Sequence, residues 1–317
     1  MDSSKAIIEQ VAAAAAAGTR LSLRGAGSKP WMAMPAAGAT QLSLAQHAGI
    51  LQYDPAELVV VVRAGTRLAD LDAALAEQGQ MLAMEAPDFN GASTIGGAVA
   101  LGWAGSRSVF AGGVRDSVLG LRMVNGEGED LRFGGQVMKN VAGFDVSRLM
   151  VGSCGRLGVI LELSLKVVPL PERELTLGLA FPDLAASQVA VRDWTGRGFP
   201  VSAASYSEGR LRVRLSGRAA ALEAARAELG GKAEDNSWWQ ALRRLEHPLF
   251  HHGWGDEKLF DCNGEVCWTA HSRRRGQAAP VSLASGPDLA KAPNRALLAR
   301  VEQAFDPAGV FRPAEAA

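Results

Sequence analysis

The chain predicts an α+β protein built in two parts, and three observations carry that prediction. Over residues 1–90, short β-type runs alternate with helical patterns. Two glycine-rich segments follow strand signals, at 21–31 and 93–106. A proline-flanked joint, ending in Pro169-Leu170-Pro171, then separates this region from a βαββα succession. The 317 residues suffice for two domains, and with 48% hydrophobic and 21% charged residues they can bury a sizeable core. A net charge of zero gives no basic field for nucleic acid and no acidic, disordered tail.

Residues 4–17 read as an amphipathic helix with Ile7, Ile8, Val11 and Ala15 facing inward. Glu9 ahead of the alanine tract, and the lack of a basic segment before it, argue against a secretory leader. Strands are expected at 20–24, 41–44 and 58–63. Thr66 is expected to cap the helix "TRLADLDAALAEQG", which stops at Gly79.

Residues 91–128 are dense in glycine and carry little helical periodicity, so they read as loops lying close to something. "VLGLRMVNGEGEDLRF" reads as a hairpin closed at 125–130, and a short helix is expected around 144–152. "LGVILELSLKVVPL" (157–170) is a long buried strand stopped by Pro169 and Pro171, and the domain boundary belongs here. Beyond it come a strand (175–181), a helix (183–194), strands (201–206 and 210–216) and a helix (218–229). That order predicts a split-βαβ, ferredoxin-like cap. A helix at 293–304 and "FDPAGVFRP" close the chain. No stretch approaches the ~20 apolar residues of a membrane span.

Cys154, Cys262 and Cys267 are too few for a disulfide framework or a self-contained iron–sulfur cluster. Asn263–Gly264 reads as a tight hairpin turn with Cys262 facing Glu265. The cysteines are read as buried free thiols rather than a bridge or metal pair, which fits a reducing, cytoplasmic compartment. His247 and His251 have i, i+4 spacing, but Pro248 interrupts them and no carboxylate completes a ligand set, so no metal site is assigned. Trp238, Trp239, Trp254 and Trp268 mark either a docking surface or the cap's own core.

"LSLRGAGSKPW" (21–31) ends a strand in a glycine turn, as phosphate-binding loops do. It is not a dinucleotide fingerprint, because the third glycine is missing and Pro30 intervenes, and it lacks the ending of a Walker loop. "STIGGAVALGWAGS" (93–106) supplies a second close-approach surface. Two such loops suit a long diphosphate ligand, although glycines that only pack tight turns would give the same pattern.

"RGAGSK" (24–29), "STIGGAVALGWAGS" (93–106), "VRDSVLGLRMVNGEGE" (114–129), "KNVAGFDVSRLMVGSCGRLGVILELSLKVVP" (139–169) and "FDPAGVFRP" (305–313) occur in this order. Together they resemble the FAD-binding family of vanillyl-alcohol oxidase and p-cresol methylhydroxylase (PCMH) type, and more closely its glycolate oxidase E-subunit branch. The resemblance implies a two-subdomain PCMH-type FAD-binding domain over 1–170. It is followed by a reduced cap over 171–290 and a C-terminal helix and tail (291–317) that returns to the first domain.

Carried over onto this sequence, Arg24, Gly25, Ala26, Gly27, Ser28 and Lys29 would wrap the pyrophosphate. Ser93, Thr94, Ile95, Gly96 and Gly97 would line the diphosphate and flavin side, with Pro87, Gly105 and Ser106 nearby. Gly158 and Ile160 would contact the nucleotide end. FAD is expected to be non-covalent, because Ser28 stands where some members carry a flavin-linking histidine. Cys154 and Arg156 depart from the family's usual glutamate and threonine.

The resemblance further implies a role in oxidising a small 2-hydroxy acid, glycolate or D-lactate, within a multi-subunit complex. The partners would be a larger flavin-containing dehydrogenase subunit and an iron–sulfur subunit, with membrane contact only peripheral and through the complex. No convincing catalytic constellation emerges, since the family's histidine-rich cap motif is missing. His252 and His271 are the only general-base candidates. The alternatives are an assembly subunit with a vestigial flavin site, or a free-standing flavin dehydrogenase.

Overall fold

The computed structural model describes residues 2–29, 38–89, 91–135, 144–244 and 294–312, and the backbone of three strands within 258–280. Helix α1 (Ser4–Ala17) buries Ile7, Val11 and Ala14, and ends where Gly18 adopts φ 63° and donates to the Ala14 and Ala15 carbonyls. Strands β1 (Leu21–Arg24) and β2 (Thr40–Ser43) follow as a parallel pair.

Next come β3 (Ile50–Asp54), β4 (Val59–Arg63), α2 (Leu68–Ala76), β5 (Gln80–Met81), α3 (Ile95–Leu101), α4 (Ser108–Ala111) and α5 (Val114–Ser117). Then β6 (Val118–Val124), β7 (Asp130–Gly134), α6 (Val146–Leu149), β8 (Val159–Lys166) and β9 (Val168–Pro169) complete this part. Five strands form an antiparallel sheet in the order β3-β4-β8-β6-β7.

Both faces of that sheet are covered. Val60, Val62, Leu163 and Leu165 pack with α2 and α3 on one side. Val124, Val159 and Leu161 pack with α1, β1, β2, Val310 and Phe311 on the other. Double coverage explains why β4 reads as an unbroken valine run.

Four expectations change here. Cys154 is a free cysteine but lies exposed on the 152–158 loop rather than buried, and the side chains of Cys262 and Cys267 lie outside the described residues. Strand β3 was not foreseen, because its outer residues Ile50 and Leu51 are exposed at the sheet edge and leave no clean alternation. Thr66 does not cap α2. Arg67 occupies that position, while the Thr66 hydroxyl donates to the Arg63 carbonyl at 2.7 Å and accepts from the Gly49 amide at 2.9 Å. The glycine-rich stretch does hold a helix, α3, whose first turn is capped by Thr94 Oγ1 accepting from the Gly97 amide.

The second part runs β10 (Arg173–Ala180), α7 (Leu184–Gly196), β11 (Val201–Ser207), β12 (Arg210–Gly217), α8 (Ala219–Leu229), β13 (Lys232–Glu234) and α9 (Ser237–Arg244). Strands β14 (Lys258–Asp261), β15 (Val266–Thr269) and β16 (Ala279–Pro280) extend the sheet, whose order is β13-β10-β12-β11-β14-β15-β16. All its pairings are antiparallel. Its core is Leu177, Val191, Ala204, Val213 and Leu215 against Leu222 and Ala225. Asp261 faces Val266 in the β14–β15 register, and the expected turn at Asn263–Gly264 lies outside the described residues.

The described tryptophans of the aromatic segment serve this sheet: Trp239 is buried and donates to Thr176, and Trp238 donates to Ser205. Helix α10 (Arg295–Phe305) leads the tail back to the first part. There Leu21 donates to the Val310 carbonyl and Gly126 to that of Phe305. Among the described residues no helix is long and apolar enough to cross a membrane.

Candidate functional site

Strand β1 ends at Arg24, and the chain turns through Gly25, Ala26, Gly27, Ser28 and Lys29. Gly27 has φ 73°, a conformation few side chains tolerate. Gly25 leaves no room for a side chain, because a Cβ there would lie 2.5 Å from Thr94 Oγ1. The two glycine-rich segments therefore touch. Among the described residues, no backbone acceptor is bonded to the amides of residues 25–29. A run of free amides in a tight turn is a concave anion site.

The second segment behaves differently. Ile95 donates to the Thr66 carbonyl, Gly96 to that of Ala64 and Gly97 to Thr94 Oγ1, so these amides are spent inside the protein. Gly96 is needed for close packing: its Cβ would stand 2.6 Å from that of Ala64. This segment offers a smooth wall, and the first offers the donors.

Lys29 ties them together. Its ammonium donates to Ser93 Oγ at 2.8 Å and Ser28 Oγ at 3.1 Å, and lies 4.4 Å from the centre of the Phe89 ring. No carboxylate pairs with it among the described residues, and burial pulls its pKa down to about 8. Phe89 stacks on Trp103, with ring centres 6.0 Å apart. The Trp103 indole Nε1 is buried without a partner among the described residues.

A third loop, 152–158, closes the locus. Gly152 and Cys154 donate to the Val99 and Ala100 carbonyls at the end of α3, and Gly155 lies against Leu23 of β1. Ser153 Oγ is a second buried polar atom without a partner among the described residues. A cavity of about 450 Å³ opens beside the end of α3, lined by Gly102, Ala104, Arg115 and Gly152 among others. Glu85, Phe89 and Cys154, all on loops bordering this region, take left-handed φ values of 43°, 50° and 53°.

The sequence-derived residues divide accordingly. Arg24–Lys29 and Ser93–Gly97 come together. The Arg24 guanidinium fills the space beside Gly27. Gly105 packs on Glu85 and donates to the Met84 carbonyl, with Ser106 buried behind it. Pro87 is buried in the segment leading to Phe89. Gly158, at φ 141°, accommodates Met123 and Val124, while Ile160 sits in the core of the five-stranded sheet. Neither projects into the first two loops' contact. His252 and His271 lie outside the described residues, as do His247 and His251.

Two features escaped the sequence reading. Phe89 and Trp103 had a faint signal, an aromatic between two glycines in "GWAG". The other is a buried ionic network with none. Arg107 pairs with Glu85 (3.0 Å) and Glu174 (2.5 Å), and Arg214 pairs with Glu85 (2.9 Å). Burial alone would raise the Glu85 carboxyl, but Arg214 and then Arg107 outweigh it and hold it below its usual value.

Residues 1–134 match the FAD binding domain family. Glycolate oxidase subunit GlcE of Escherichia coli is 39% identical over 98% of this chain and 97% of its own length. Glycolate oxidase subunit GlcD of Bacillus subtilis is 36% identical over 45% of this chain, a match covering 30% of that protein. Among solved structures, alkyldihydroxyacetonephosphate synthase superposes with a TM-score of 0.72 over 98% of this chain and 76% of its own, at 15% identity. That likeness concerns the fold alone.

Proposed function

The chain belongs to the family of glycolate oxidase subunit GlcE, and on that premise we propose that it is the FAD-binding companion subunit of a multi-subunit glycolate oxidase. It is an FAD-dependent oxidoreductase homologue. The relevant observation is the contact of two glycine-rich loops around amides and a half-buried ammonium that, among the described residues, have no backbone acceptor and no counter-charge. Those donors fit a diphosphate, and the orphan Trp103 and Ser153 groups fit further polar atoms of a long ligand.

Arg24–Lys29 would hold the diphosphate, with Thr94–Gly97 as the wall that keeps it in place. Bound FAD supplies hydride acceptance and onward electron transfer. This chain's own residues bind it, orient it and exclude water around it. The substrate would be a small 2-hydroxy acid, glycolate or D-lactate. A larger flavin-containing dehydrogenase subunit would carry the principal chemistry and an iron–sulfur subunit would accept electrons. His252 and His271 stay as base candidates on this chain. A cytoplasmic site, peripheral to the membrane through the complex, follows from that reading.

We read 1–170 as the PCMH-type domain, 171–290 as the cap and 291–317 as the returning tail. The succession β10-α7-β11-β12-α8-β13, with order β13-β10-β12-β11, supports a ferredoxin-like cap extended by β14–β16. A visible spectrum of the purified chain tests the cofactor role. Oxidised-flavin bands that acid releases into the supernatant are expected. A folded, colourless protein that takes up no added FAD would reduce it to an assembly subunit. Co-purification from the native source should recover a second flavoprotein and an iron–sulfur protein, and recovery of neither would remove the complex from the reading.

A further inference from the structure

Lys29 is a half-buried cation that no carboxylate among the described residues neutralises. Its ammonium has two serine hydroxyls and an aromatic face around it, and no ion pair among the described residues. The charged groups on the surrounding segments are otherwise engaged. Arg24 donates to Gln41, Glu85 is held by Arg107 and Arg214, and Asp88 accepts from the Gly91 amide. Arg67, which bridges to Thr94, adds a like charge rather than a partner. The ammonium nevertheless sits at the junction of the two loops, bonded to Ser93 from the second and next to the free amides of the first.

We propose that Lys29 couples dinucleotide binding to protonation: the bound diphosphate supplies the missing counter-charge, so that in alkaline solution each binding event draws one proton from solvent onto the Lys29 amine. This rests on the FAD reading above. Burial without a partner disfavours the charged amine in the empty site, bringing it to about 8. An adjacent dianionic diphosphate favours the charged form and raises it again. Below the empty-site value both states carry the proton, and affinity is independent of pH. Above it the bound state holds more protons than the free state. Affinity then falls as pH rises, by a limiting factor of about ten per pH unit.

Calorimetry of FAD binding to the folded apoprotein tests this, run in two buffers of different ionisation enthalpy. At pH 9, one unit above the empty-site value, uptake of roughly 0.9 proton per FAD is expected, and at pH 7 roughly none. Lys29→Arg keeps its charge throughout, so it should bind FAD with no proton uptake and a flat pH profile. Lys29→Met should bind about tenfold or more weakly at pH 7, also with a flat profile. FAD binding without proton uptake at pH 9 would overturn the proposal and leave the cofactor role intact. A Lys29→Arg profile as steep as the unsubstituted chain's would assign the proton to another group and overturn it equally. No FAD binding at any pH would bring down the cofactor role and this inference with it. Should Lys29→Met fail to fold, the Arg variant and the buffer pair decide alone.

Discussion

Gly25 and Thr94 are far apart in sequence, yet no atom beyond hydrogen fits between them. Gly25 is not at positive φ, so alanine is acceptable to the backbone there. What resists is the Thr94 hydroxyl, which must rotate and abandon its cap on the Gly97 amide. Gly25→Ala should therefore cost about 1 kcal/mol of stability, the worth of a lost cap. It should also weaken FAD binding about tenfold by parting the two loops. Chemical denaturation and a fluorescence titration with FAD would measure the two effects. Unchanged FAD affinity in a folded Gly25→Ala protein would mean that the contact between the loops does not shape the site.

Among the elements, the joint between the two sheets rests on charge. Arg107 belongs to the loop before α4, Glu85 to the segment after β5, Glu174 to β10 and Arg214 to β12. Arg214 is 3% exposed and Arg107 7%, so neither can turn to water if its carboxylate is removed. Glu85→Gln should then destabilise by ~3 kcal/mol at pH 7, because it leaves buried guanidinium charge short of a partner.

The sign of the pH dependence is fixed. The folded Glu85 value lies below its ordinary value of 4.5, so its contribution is complete above that pH and is lost as pH falls through the folded value. Urea titrations at neutral and acidic pH should show the gap between variant and parent narrowing on the acid side. Equal stability at pH 7 would mean the network is dispensable.

For the whole molecule, two cores cover the faces of the first sheet and a third lies under the second. The two parts meet at the Arg107 network, at Phe110, which packs into the core of the second part, at the pair of Arg243 with Asp72, and where the Asp88 amide donates to the Arg243 carbonyl. The residues assigned to FAD all come from the first part. Ligand at a hundredfold excess over Kd should stabilise the native state by about 2.7 kcal/mol and raise the calorimetric midpoint. In Glu85→Gln the peak should split, and FAD should move only the peak of the first part. A single peak that shifts as a whole in that variant would show that the remaining contacts suffice to couple the two parts.

Sequence by itself determined what local rules govern. The helical spacing of Ile7 and Val11 made α1, although Ala14 rather than the expected Ala15 completes its buried face, "VNGEGED" made the β6–β7 turn, and Gly25 and Gly27 after a strand made a tight turn. Each depends on neighbours a few residues away, so each could be read along the chain. Tertiary structure alone decided the rest. It brought Thr94 against Gly25, spent the Ile95 and Gly96 amides on Thr66 and Ala64, and made β3 an edge strand. It also left Lys29 half-buried with no carboxylate partner among the described residues and gathered Arg107, Glu85, Glu174 and Arg214 from four separate segments. The physical reason is that burial and electrostatics depend on distance in space. Whether a lysine lacks a counter-ion, or an amide is free, is settled only once every distant segment has packed.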